Sequence, residues 1–163
     1  MPTARPWPLL LVVALAACGG GDAAPSDSLA VIPAAPATPV VSAPPAGSAA
    51  AITGAIIEVR MVGDGKGYRF EPATVKAVPG DGIKFVVISG GPHEVAFDLA
   101  AVPPESRDQL RWNMPNSTEG RSPLLSHEQE TWTVSLGSLA KGRYPFVSTP
   151  RVAQGMKGEI VIQ

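Results

Sequence analysis

The chain has 163 residues and a formal net charge of -1, with 45% hydrophobic and 6% aromatic residues, 18 Pro and 17 Gly. That length suits one domain of ordinary size plus appendages, and the near-neutral charge excludes a broad electrostatic pull toward nucleic acid. So many prolines and glycines predict many turns, at least one unfolded segment and no long helix.

Residues 1–17 read as a targeting segment: Arg5 gives a short basic region, and residues 7–16 form an apolar run shorter than the roughly 20 residues of a membrane span. The run ends in Leu15-Ala16-Ala17-Cys18, which resembles the bacterial lipobox, and the expectation is a lipid-modified Cys18 as first residue of the mature chain. Cys18 is the only cysteine, so the mature domain has neither a disulfide nor a thiolate to offer a metal. Loss of the leader removes Arg5 alone, leaving 12 basic against 14 acidic side chains and a formal charge of -2.

Residues 18–51 are rich in Ala, Pro, Gly and Ser, with Asp22 and Asp27 the only charges. Such a segment cannot bury enough apolar surface to offset its ordering entropy and reads as a disordered tether, either for reach toward a partner or for clearance from a bilayer. The folded domain is expected over residues 52–163.

From residue 56 the pattern becomes short β-type runs between turn residues. Residues 56–61 form a first strand, stopped by the glycine-rich turn 63–67, which lacks the Lys-Ser/Thr pair and helix of a phosphate loop. Residues 68–70 form a second run, and 74–82 followed by 83–88 read as strand, Pro-Gly-Asp-Gly turn, strand, with Ile83, Phe85 and Val87 on one face at period two. Pro104 opens one or two helical turns over 104–110. The loop to Pro123 mixes Arg107, Arg111 and Arg121 with Glu105, Asp108 and Glu119, and its apolar Trp112 and Met114 are either packing residues or partner contacts. Its Asn116-Ser117-Thr118 fits a glycosylation sequon, discounted for a bacterial lipoprotein. Trp132, Val134 and Leu136 alternate with Thr131, Thr133 and Ser135 as a strand with one buried face. Strands at 144 and 159–162 complete an all-β set of seven to eight, the spacing of a sandwich.

Two stretches carry a family resemblance. Residues 70–98 contain Phe70-Glu71-Pro72, Val78-Pro79-Gly80-Asp81 and Pro92-His93-Glu94-Val95-Ala96-Phe97-Asp98, and residues 144–158 read YPFVSTPRVAQGMKG. Together they resemble the plastocyanin-like cupredoxins, the blue copper proteins, over residues 56–163. The resemblance implies a Greek-key β-sandwich whose copper ligands would be a His at His93, a Cys at the position of Ser148, a His at that of Arg151 and a Met at Met156. Two of these four are changed. A blue copper centre needs two imidazoles and a thiolate with a weak axial thioether. The Ser148 hydroxyl stays protonated at neutral pH, and Arg151 brings a fixed positive charge where an imidazole would bind a cation. No metal is therefore expected.

His93 then reads as a histidine hydrogen-bonded to Ser148 or to a backbone carbonyl, and Met156 as apolar filling. The spare imidazole of His127 would allow at most a weak site with His93 and Met156. No nucleophile elbow, catalytic triad or carboxylate pair marks an enzyme. The leader, Cys18 and the two changed ligand positions together lead to the expectation of a membrane-anchored, exported domain that acts as a binding or structural subunit through Arg151, Trp112 and Met114. Its partner would be a membrane electron-transfer complex, photosynthetic or respiratory. The alternatives are a plastocyanin-like copper carrier with non-standard ligands and a weak periplasmic copper binder.

Overall fold

The computed structural model describes residues 46–163. Cys18, the leader and most of the expected tether lie outside the described residues. Eight strands run in chain order: β1 Ile56–Asp64, β2 Gly67–Glu71, β3 Thr74–Ala77, β4 Gly82–Val87, β5 Ala96–Phe97, β6 Thr131–Ser135, β7 Gly142–Val147 and β8 Lys157–Ile162. They form two four-stranded sheets, β2-β1-β4-β6 and β3-β8-β7-β5. The pairs β1 with β4 and β3 with β8 are parallel and the others antiparallel.

The turn between β3 and β4 moves the chain from one sheet to the other, so it is not a hairpin. Asp81 fixes it: one carboxylate oxygen accepts the Val78 N–H at 2.9 Å and the other the Ala55 N–H at 2.9 Å. Gly80 in this turn has φ +98, a left-handed conformation that L side chains rarely adopt. The period-two pattern holds on both sides of the switch, since Ile83, Phe85, Val87, Trp132 and Val134 are all buried. Between the sheets Phe146 packs edge-on against Phe70 and Phe85, with centroids 4.8 and 5.3 Å apart. A fully buried side chain of this size contributes about 1.5–3 kcal/mol relative to exposure.

Two poles result. At the N-terminal pole lie the start of β1 and β4 and the end of β6; at the loop pole lie the ends of β1, β4 and β7 and the chain that follows each. The domain begins earlier than residue 52. Ala50 is buried and its N–H is bonded to Asn113 Oδ1 at 2.8 Å, and the Ser48 carbonyl accepts from Gln109 Nε2 at 3.1 Å. The expected tether therefore ends about four residues too late, because backbone groups on a side with no apolar signal of its own are captured by side chains of a helix.

That helix, α1, spans Arg107–Asn113 after a 3-10 turn at Pro104–Ser106, three residues beyond the expected helical turns. It buries Leu110 and Asn113. Met114 follows it and is only 3% exposed, part of the main core. The expectation of Met114 as a partner contact is thus corrected: the helix end turns its thioether inward. Trp112 is 40% exposed and keeps its place on the surface.

Candidate functional site

The loop pole is assembled by three close approaches. Gly63 near the end of β1 and Gly90 after β4 meet so tightly that a Cβ on Gly90 would stand 2.5 Å from Gly63 Cα, and one on Gly63 would strike the Tyr68 ring at 2.5 Å. Only glycine at both positions lets the strands converge here. The contact is fixed by the Gly63 N–H donating to Ser89 O at 3.0 Å and the Ser89 hydroxyl donating to Gly63 O at 3.0 Å. Tyr68, on β2, stands beside this junction.

His93 follows in an antiparallel bridge with Leu125, both N–H to O distances being 2.8 Å. Its ring is fully buried and Nε2 lies 2.8 Å from Ser89 O. A carbonyl only accepts, so Nε2 carries the proton, and in the neutral ring Nδ1 is a bare acceptor. That Nδ1 is buried with no hydrogen-bond partner. Burial lowers the imidazole pKa below its ordinary value and the Arg151 charge adds to this, against the Ser89 carbonyl, which favours the charged ring. The backbone-carbonyl alternative for His93 is the one observed.

The loop from β7 to β8 starts at Ser148, turns through the 3-10 helix Thr149–Gln154 with Pro150 near its start, and leaves through Gly155 at φ +83. It closes on itself: Ser148 N–H donates to Met156 O, Arg151 N–H to Ser148 O and Met156 N–H to Arg151 O, at 3.1, 2.9 and 3.2 Å. Ser148 and Met156 are fully buried. The Ser148 hydroxyl accepts the Glu94 N–H at 3.4 Å, next to His93. The loop thus gathers the four positions singled out in the sequence around one place.

Arg151, expected as a partner contact, is only partly exposed and is not a free surface charge. The guanidinium is turned inward, with Cζ 4.3 Å from the Tyr68 ring centroid. Its Nη2 donates to Gly90 O and Gly91 O, both at 3.3 Å, and its Nε is buried without a partner. The charge is drawn in because two carbonyl dipoles and an aromatic face converge there. His127 is not part of this arrangement: its side chain is 88% exposed and Nδ1 stands 3.6 Å from Glu130 Oε2.

The side chains at these four positions are one neutral imidazole, one thioether, one hydroxyl and one guanidinium, the last with no lone pair to give a metal. A type 1 copper centre requires a thiolate and a second imidazole, and the place of the second imidazole is held by a cation already bonded to Gly90 and Gly91. These residues do not fit such a centre. Among the described residues no three His, Cys, Asp or Glu side chains converge either. Sequence reasoning did not single out Tyr68, Ser89, Gly90 or Gly91; the only local signal was the Gly63 and Gly90 pair, whose need for glycine marks a close approach.

Comparison with known proteins bears on the same segment. A family described as copper binding proteins, plastocyanin/azurin family, matches residues 57–163. Plastocyanin of Vicia faba is 32% identical over 106 residues, covering 65% of this chain and 99% of that protein. Plastocyanin of Daucus carota is 30% identical over 105 residues, 64% of this chain and 98% of that one. The oxidized plastocyanin of Dryopteris crassirhizoma superposes with a TM-score of 0.50 at 23% identity, covering 66% of this chain and all of that one, a likeness of fold.

Proposed function

Since this chain belongs to the plastocyanin/azurin family of copper binding proteins, we propose that it is a member without a type 1 copper site, one that works as a binding or structural subunit. The observation that carries this is the Arg151 guanidinium bonded to Gly90 O and Gly91 O at a position where the family places an imidazole. With Ser148 at the thiolate position, the copper-thiolate bond that gives colour and fast electron transfer has no thiolate to form it.

The sequence supports a setting for that role. In this reading Cys18, at the lipobox-like end of the leader, is the lipid attachment point. In this reading the domain is exported, held to a bacterial membrane by lipid, non-enzymatic, and docked on a membrane electron-transfer complex, photosynthetic or respiratory, with exposed Trp112 among its contacts. No helix among the described residues is long and apolar enough to cross a membrane.

The test is purification of the full-length chain from gently solubilised membranes, with metal analysis of the product. Stoichiometric recovery with a membrane electron-transfer complex, no copper, and release to the soluble fraction on Cys18→Ser are the expected results. Recovery alone, or with one tightly held copper per chain, overturns the reading. One observation favours a second reading: the unpartnered Nδ1 of His93, with Met156, offers donors for weak Cu(I) binding. That reading predicts Cu(I) uptake that is lost in His93→Ala, Met156→Ala.

A further inference from the structure

Among the described residues, the hydrogen bonds that tie the tip of the β7–β8 loop to other segments are the Ser148 contact with Glu94 N–H and the two donated by Arg151. We infer that Arg151 is a built-in cation that does the work of a structural metal ion: its guanidinium pins the loop to the turn of residues 89–93 and to Tyr68, closing the pole without a metal and barring one. The inference rests on the proposed absence of a type 1 centre and adds what replaces it.

Three features make Arg151 suited to this. Successive carbonyls, of Gly90 and Gly91, point at one Nη2, an arrangement of dipoles that a cation stabilises. The flat guanidinium covers the face of Tyr68, whose ring also meets His93 edge-on with centroids 6.2 Å apart, so one platform supports both residues. A lysine has neither the plane nor the fork to make both contacts at once. The fixed charge also acts on its neighbour. A metal ion approaching Nδ1 of His93 would meet a like charge in a place shielded from water, where repulsion is stronger than in solvent.

Native-state hydrogen exchange on the full-length chain tests the pin. Arg151→Met keeps the length of the stem but removes charge and donors, and Arg151→Lys keeps the charge and a point donor without the planar fork. Both are expected to speed exchange of the Met156 and Gly155 amides by roughly 10- to 100-fold while those of Phe85 and Val134 are unchanged. Unchanged loop protection in both variants overturns the pin.

Copper titration tests the exclusion. In a Cys18→Ser background, which leaves no other thiol, Ser148→Cys is compared with Ser148→Cys, Arg151→Gly. The second is expected to bind Cu(II) at least about 10-fold more tightly, since it differs by loss of the guanidinium and gains no ligand. Equal affinity overturns exclusion. Failure of the broader reading looks different: tightly held copper in the wild-type chain as isolated, whatever the variants do.

Discussion

The two poles of the sandwich treat buried polar atoms in opposite ways. At the N-terminal pole Asn113 is 2% exposed, and its Oδ1 accepts from Ala50 N–H and Gln109 Nε2 while its Nδ2 donates to Ser135 O and Gly137 O, all at 2.8–3.0 Å. Every donor and acceptor of the amide is used. At the loop pole His93 Nδ1 and Arg151 Nε are both buried with no partner, a condition that costs roughly 1–3 kcal/mol per group. One pole is made for order. The other tolerates a local conflict, and conflicts of this kind concentrate where a protein's local rules yield to function or to its history.

The contrast makes its largest prediction at Asn113. Asn113→Ala strands Ala50 N–H, Ser135 O and Gly137 O together, and is expected to cost about 3–5 kcal/mol in urea unfolding. A loss under about 1 kcal/mol would remove the distinction between the poles.

Tyr144→Phe comes next. The Ala140 N–H donates to Ser106 Oγ at 2.8 Å, and the Tyr144 hydroxyl lies 2.9 Å from Ser106 Oγ and 2.6 Å from Ala140 O. With one proton each, the two hydroxyls complete a ring of bonds back to Ala140, and burial raises the pKa of the phenol against the Ser106 hydrogen bond, which lowers it. Removing the phenol oxygen is expected to cost about 1–2 kcal/mol in the same assay, since Ala140 O loses its donor.

How much of this was legible in the sequence depends on where each partner lies along the chain. The strands show because their cause is local: Ile83, Phe85, Val87, Trp132 and Val134 alternate over a few residues and all are buried. The ligand-like loop shows for the same reason, through Tyr144, Phe146, Pro150, Gly155 and Met156. Asn113 does not, because its role is set by Ala50, 63 residues earlier, and by Ser135 and Gly137, 22 and 24 residues later. Residues 48–51 look like the tether before them because what orders them is their backbone. Arg151 misleads for both reasons. A charged residue on a surface loop reads as exposed, and the carbonyls that draw it inward belong to glycines 61 and 60 residues away.

The smallest effect is expected at His93, and it is the sharpest test of the contrast. In His93→Leu the ring's partner is not stranded, since Ser89 O still accepts the Gly63 N–H at 3.0 Å, and the unpaired Nδ1 is gone. The change above neutral pH is therefore expected to stay within about 1 kcal/mol, against several for Asn113→Ala. The pH dependence has a definite sign. Because the folded-state pKa is lowered below the ordinary imidazole value of about 6.5, the unfolded chain takes up the proton first as pH falls. The stability tied to the neutral ring is thus complete above that value and declines as pH drops through it toward the lowered folded-state pKa. Urea midpoints of wild type and His93→Leu between about pH 8 and pH 5 should converge or cross as the wild type loses this increment and the variant does not. A wild type that gains on the variant toward low pH would mean that His93 is charged in the folded protein, with Nδ1 a donor, and the conflict at the loop pole would then be two like charges held on one tyrosine.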